Sequence, residues 1–181
     1  RQFSSYDRDT VGVGKDGWFA NWDRSQFVRV EENGGRKEYV MLDADGAGAI
    51  VRFWGTWHGP RKDGKLAPFS NGTLRVYLDG KAEPAIEGPI ADIISGGKLI
   101  GSPLSESVSP DTEYGRRGHN LYLPIPYQSG CKITYESDAI VDFGAQKGEA
   151  LYYQINYRTY EPGTKVKSFA REQLVELKPL I

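Results

Sequence analysis

The sequence predicts an all-β domain: an antiparallel β-sandwich of jelly-roll type, with a short helical segment near the C-terminus. Three observations carry the prediction. Short segments throughout the chain show two-residue alternation or are rich in β-branched and aromatic residues. Turn residues separate them at close intervals, as ENGG, DADGAG, RKDGK, LDGKAEP, YQSG and EPGT. Helical periodicity is nearly confined to the tail.

Taken in order, the opening RQFSSYDR and then GWFANWD are polar and aromatic without alternation, and they read as an arm. QFVRVEE, KEYVMLDA and AIVRFWGTW follow as strands, the last two joined by a turn through Asp45-Gly46. In TLRVYLDG, Leu74, Val76 and Leu78 share one face while Arg75 and Tyr77 share the other. That alternation predicts a sheet with one wet side. ADIISGG is short enough for a single helical turn. NLYLPIPY, CKITYES and ALYYQINYRTY complete the strands. In the tail, Phe169, Leu174 and Leu177 fall near one helical face and Pro179 breaks the pattern, so a helix is expected near Phe169 to Leu177. The long connections, Pro60 to Asn71 and Gly96 to Asn120, suit a jelly roll better than an immunoglobulin-like sandwich. Val51, Phe53, Leu74, Val76, Leu78, Ile133, Tyr153 and Ile155 are the expected core positions.

The 181 residues suffice for one domain with a proper core. The net charge is −1 and the pI about 6.2, with both signs interspersed, so no basic stripe offers nucleic acid an electrostatic footprint. No apolar run approaches the roughly 20 residues of a membrane helix. Cys131 is the only cysteine, which rules out an internal disulfide and a cysteine zinc cluster; a small buried thiol is expected. With His58 and His119 the only histidines, a histidine-rich metal site is not expected either, and no cofactor is. Gly12 to Gly17 spells G-x-G-x-x-G but lacks the preceding strand and following helix of a dinucleotide fingerprint, so it reads as a glycine loop. Asp43-Ala44-Asp45-Gly46 lacks the further ligands of a calcium loop and reads as a turn, as does the sequon Asn71-Gly72-Thr73. No G-x-S-x-G elbow exposes a nucleophilic serine. The first residue is Arg rather than Met, which fits a processed chain or a piece of a longer one, and is compatible with export.

All four tryptophans lie in the first third of the chain. Tyr6, Asp7 and Arg8 with Trp18, Asn21 and Asp23 form the richest cluster of candidate sugar-binding residues. Arginine and aspartate fork onto vicinal hydroxyls through charge-assisted hydrogen bonds, and an indole stacks on the apolar side of a sugar ring. Trp54, His58 at a strand exit and His119 before a strand join them as candidate contacts. The competing reading of the opening is an arm docked on its own sheet or on a neighbouring subunit. Glu149 and Glu161 are carboxylates of the type glycoside cleavage needs, but no spacing pairs them.

QFSSYDR, W-x-x-N-x-D, LDADGAGAIVRFW, TLRVYLDG, RRGHNLYLPIPY, CKIT and YYQINYRTY, in that order, resemble glycoside hydrolase family 172. The resemblance runs from Gln2 to about Phe169. It implies a jelly roll, retaining chemistry by a carboxylate pair, and action on furanosides of the α-D-fructofuranoside or D-arabinofuranoside type. It also implies trimeric or hexameric assembly. Family members carry two consecutive jelly rolls with the catalytic glutamates in the second, so residues 1–181 are expected to be the first, contributing to a sugar pocket and exposing an apolar surface. The alternatives are a non-catalytic carbohydrate-binding module and a structural assembly protein, since fold alone does not give function.

Overall fold

The computed structural model describes every residue except 21, 110, 114–116, 142–147, 178 and 180–181, and leaves out the side chains of 62 and 177. Among the described residues thirteen strands, β1 (Gln2–Ser4), β2 (Arg29–Asn33), β3 (Arg36–Asp45), β4 (Gly48–His58), β5 (Arg61–Lys62), β6 (Lys65–Leu66), β7 (Thr73–Leu78), β8 (Ile86–Pro89), β9 (Ser105–Ser107), β10 (His119–Leu121), β11 (Ile125–Tyr127), β12 (Gly130–Glu136) and β13 (Ala150–Thr159), pair antiparallel throughout. The same described residues include two short helices, α1 (Ile90–Ile94) and α2 (Glu172–Leu177). One sheet of six strands runs β1-β13-β4-β10-β9, with β11 pairing further along the same β4. The other, of five strands, runs β2-β3-β12-β7-β8. The chain passes back and forth between the sheets, and the apolar faces of both meet in one core that includes Phe27, Leu42, Phe53, Trp57, Leu74, Ile133, Tyr153 and Ile155. The expected jelly-roll-type sandwich is the observed fold.

Local chemistry explains most boundaries. The β2–β3 hairpin turns through Gly34 and Gly35, both at positive φ, which L side chains adopt at a cost. Pro124 falls in the gap that divides NLYLPIPY into β10 and β11, because proline has no N–H for a ladder, while Pro126 sits inside β11 opposite Ala49. RKDGK forms the small β5–β6 hairpin around Asp63 and Gly64.

Three expectations need correction. Val51 is only half-buried: the β4–β13 register slips between Asn156 and Tyr157, so Val51 falls in a bulge while Ile50 and Phe53 both point inward. The helix of the tail starts at Glu172, since the Phe169 N–H donates to the Pro126 carbonyl and its ring is buried before the helix begins. The face of β7 that carries Arg75 and Tyr77 is not wet. Both are buried, and they belong to a polar network centred on Glu38, which is also buried. Its carboxylate accepts hydrogen bonds from the Tyr77 hydroxyl (2.9 and 3.0 Å), Thr134 Oγ1 (2.7 Å), Arg36 Nε (3.2 Å) and Asn33 Nδ2 (3.2 Å). Arg75 bridges onward to Glu136 (2.7 Å) and Glu87 (3.2 Å). Burial raises the Glu38 carboxyl, but the hydroxyl donors, Arg36 and the Arg75 charge outweigh it and leave the group below the ordinary carboxylate range.

Candidate functional site

The opening is zipped to the free edge of β13. β1 pairs with Gln154–Asn156, the Ser5 N–H donates to the Tyr153 carbonyl, and Ser25 exchanges hydrogen bonds with Leu151 and Glu149. Residues 6–24 therefore leave and return to the same edge, forming a lobe beside the six-stranded sheet. The lobe is pinned by Asp7, which is 2% exposed. Asp7 Oδ1 accepts from the Asp9 N–H (3.0 Å), Oδ2 from the Trp22 N–H (2.9 Å), and the Asp7 N–H donates to Asp23 Oδ1 (3.1 Å). Arg8 holds the entry, donating to the Ser4 carbonyl (3.0 Å) and the Tyr6 carbonyl (3.3 Å) with its guanidinium over the Tyr6 ring. Gly14 and Gly17 take positive φ in the turns of the lobe, as a glycine loop does.

A shallow cleft opens where the lobe meets the outer face of the sheet. It is lined by Tyr6 and Asp23 from the lobe, and by Ser4, Trp54, Tyr152 and Gln154 from β1, β4 and β13. The sheet supplies these side chains by alternation: Phe53, Tyr153 and Ile155 point into the core, so Trp54, Tyr152 and Gln154 point out. Trp54 lies against Gly118, where a Cβ would stand 3.2 Å from the indole nitrogen. Asp23 Oδ1 is held by the Asp7 N–H, and no protein donor meets Oδ2 among the described residues. The cleft thus offers an indole, two tyrosines and a carboxylate oxygen facing solvent, the complement of a ring with vicinal hydroxyls and one apolar face.

The candidate residues do not all meet there. Tyr6, Asp23 and Trp54 share the cleft. His58 stands on the same sheet face near Tyr152, its Nδ1 at 2.7 Å from the Gly59 carbonyl, and lines a neighbouring hollow with Arg61, Lys65 and Phe69. Trp18 and Trp22 line a further hollow on the lobe with Phe19 and Asp7. The Asp7 carboxylate is turned to backbone N–H groups and the Arg8 guanidinium to carbonyls, so both build the lobe. Asn21 lies outside the described residues. His119 is fully buried behind the sheet, stacked on Trp57 at 4.1 Å, with Nδ1 at 2.6 Å from Ser95 Oγ. Tyr152 and Gln154 are additional lining residues; the alternation of YYQINYRT, which sets Tyr152, Gln154 and Asn156 on the face opposite Tyr153 and Ile155, is the signal that finds them.

Neither carboxylate singled out for cleavage is in the cleft. Glu149 is buried, accepting from the Tyr135 hydroxyl at 2.5 Å and the Ser70 N–H at 2.9 Å. That bond and burial push the Tyr135 phenol well above its ordinary value, burial being the larger cause. Glu161 follows β13 on the surface. Cys131 is buried, as expected, and burial raises its thiol. Among the described residues no group of three or more His, Cys, Asp or Glu side chains is arranged to hold a metal, and no helix is long and apolar enough to cross a membrane.

No curated protein matches the chain. The family model described as the GH172 first beta-sandwich domain matches residues 1–177. Nearly the whole sandwich, from β1 to the end of α2, lies inside that match, and the chain belongs to glycoside hydrolase family 172, as its first β-sandwich domain.

Proposed function

We propose that this domain supplies the sugar-holding surface of a retaining glycoside hydrolase acting on furanosides of the α-D-fructofuranoside or D-arabinofuranoside type. The observation that carries the reading is the cleft in which Tyr6, Asp23, Trp54, Tyr152 and Gln154 converge from the lobe and two strands. A furanose stacks its apolar face on Trp54 and gives a hydroxyl to Asp23 Oδ2. Trp18 and Trp22 line a separate hollow on the lobe, and Asp7 and Arg8 fix the lobe's position. Asp23 is the one carboxylate among the described residues lining the cleft, whereas retaining hydrolysis needs two, roughly 5–5.5 Å apart. The domain's part is therefore binding, with nucleophile and acid/base supplied from outside it. The lobe also exposes Val13, Phe19 and Trp22, an apolar surface suited to contacts within a trimer or hexamer.

Titration calorimetry of the 181-residue chain with methyl α-D-arabinofuranoside tests the reading. Trp54→Ala weakens binding about three- to tenfold through lost stacking. Asp23→Asn keeps the bond from the Asp7 N–H but loses the charged acceptor, a loss of about tenfold or more. Unchanged affinity in both variants, with the fold intact by circular dichroism, overturns the assignment.

A further inference from the structure

Strand register brings together side chains far apart in sequence. Across the outer face of the six-stranded sheet, Ser4 lies opposite Gln154, Gln154 opposite Trp54, Trp54 opposite Asn120, and Asn120 opposite Glu106. Their chain neighbours Phe3, Ile155, Phe53 and Leu121 face the core, which fixes the outward direction of the row. At about 4.8 Å per strand, five strands span about 19 Å, more than one sugar ring requires. The cleft described above ends at Trp54.

Beyond Trp54 the row continues as a built polar patch. Arg52, two residues along β4 on the same face, donates through Nε (3.3 Å) and Nη2 (3.1 Å) to Asn120 Oδ1, and through Nη1 (3.5 Å) to Asn156 Oδ1. Asn156 in turn donates to Gln2 Oε1 (3.1 Å). Asn120 is 4% exposed. Its carbonyl is taken twice by Arg52, while its amide nitrogen meets no protein acceptor among the described residues. Glu106 stands next to it, half-buried on β9, and no protein donor meets its carboxylate among the described residues. Gly118 keeps the passage between Trp54 and this patch low, since any side chain there would press on the indole or on Val108. The patch therefore presents N–H donors and a carboxylate acceptor side by side, with the Arg52 and Glu106 charges opposed. That balance fits an uncharged, hydroxyl-rich ligand and disfavours a phosphate or a uronic acid.

We propose that Arg52, Asn120 and Glu106 form a second sugar subsite on the far side of Trp54, so that the domain binds a furanoside oligosaccharide lying across the strands rather than a single terminal sugar. The proposal rests on the assignment of the Trp54 cleft to sugar binding.

The test compares methyl α-D-arabinofuranoside with a D-arabinofuranosyl tetrasaccharide, titrated into the 181-residue chain and into its Glu106→Ala variant. Glu106 is on a short edge strand, so its truncation leaves the core untouched, and thermal melting checks the fold. The wild-type chain binds the tetrasaccharide at least about tenfold more tightly than the monosaccharide, and Glu106→Ala removes most of that advantage while leaving the monosaccharide affinity unchanged. Equal affinity for the two sugars, or a tetrasaccharide affinity indifferent to Glu106→Ala, overturns the second subsite while leaving the Trp54 cleft standing. Failure of both sugars to bind overturns both.

Discussion

Replacing Asp7 by alanine separates two roles for the buried carboxylate of the opening. Its two carboxylate oxygens each accept a backbone N–H, from Asp9 at 3.0 Å and Trp22 at 2.9 Å. Hydrogen bonds to a charged group contribute about 1.5–3 kcal/mol each. Trp22 is half exposed and water replaces part of its bond, so the lower end applies, about 3 kcal/mol for the pair. Because the bonds close the lobe on itself, the loss falls on local opening rather than on the whole sandwich. Native-state hydrogen exchange reads this directly: protection of the Trp22 and Asp9 amides falls about a hundredfold in Asp7→Ala, and less in Asp7→Asn, which retains one acceptor oxygen. Sugar affinity falls with it, because Asp23 and Tyr6 lose their fixed positions. If the two amides stay as protected as in the wild type while sugar affinity drops, the carboxylate engages the ligand directly and the pinning role is wrong.

Glu38 is the hub of the polar layer on the five-stranded sheet, and Glu38→Ala strands Arg75, Tyr77 and Thr134 together. Breaking such a buried network costs about 3–5 kcal/mol, which for a chain of this length lowers Tm by about 6–20 °C; a shift under two degrees in differential scanning calorimetry contradicts the hub. Acid unfolding follows from the same group and from Asp79. The Asp79 carboxyl is raised by burial but pulled further down by donors at Ser168, Ser129 and Gln128, and so lies below its ordinary value. Both folded carboxyls therefore titrate below their unfolded values. Their stabilisation is complete above the ordinary carboxylate pKa of about 4 and is lost as pH falls through the lower folded values. The wild-type Tm drops steeply below about pH 4, and the Glu38→Gln/Asp79→Asn double variant shows a shallower drop; parallel curves for the two proteins contradict this.

Strand identity was legible where alternation reflects one apolar face, as in β7, β12 and β13. It failed where register, which sequence spacing does not reveal, decides the outcome. Val51 and Phe53 look equivalent in AIVRFW, and only the slip opposite Asn156 and Tyr157 puts Val51 in a bulge. Arg75 and Tyr77 look solvent-facing until β3 and β12 bring Glu38 and Thr134 beside them. β1 looks like part of a loose arm because three residues are too few to show a period. The candidate site divides the same way. Tyr6, Asp23 and Trp54 stood out by chemistry, but their meeting depends on β13, which carries Tyr152 and Gln154 from far along the chain. His119, next to two arginines and a glycine in sequence, gave no sign that its ring packs against Trp57 inside the sandwich.

The central claim is that the outer face of the six-stranded sheet holds a furanose. Titrating methyl α-D-arabinofuranoside into isotopically labelled chain and following amide and indole resonances tests it most directly. The account predicts that the perturbed signals cluster at Tyr6, Asp23, the Trp54 indole N–H, Tyr152 and Gln154, with the Glu38 face silent. Perturbations confined to the five-stranded sheet, or none at saturating sugar, would contradict it.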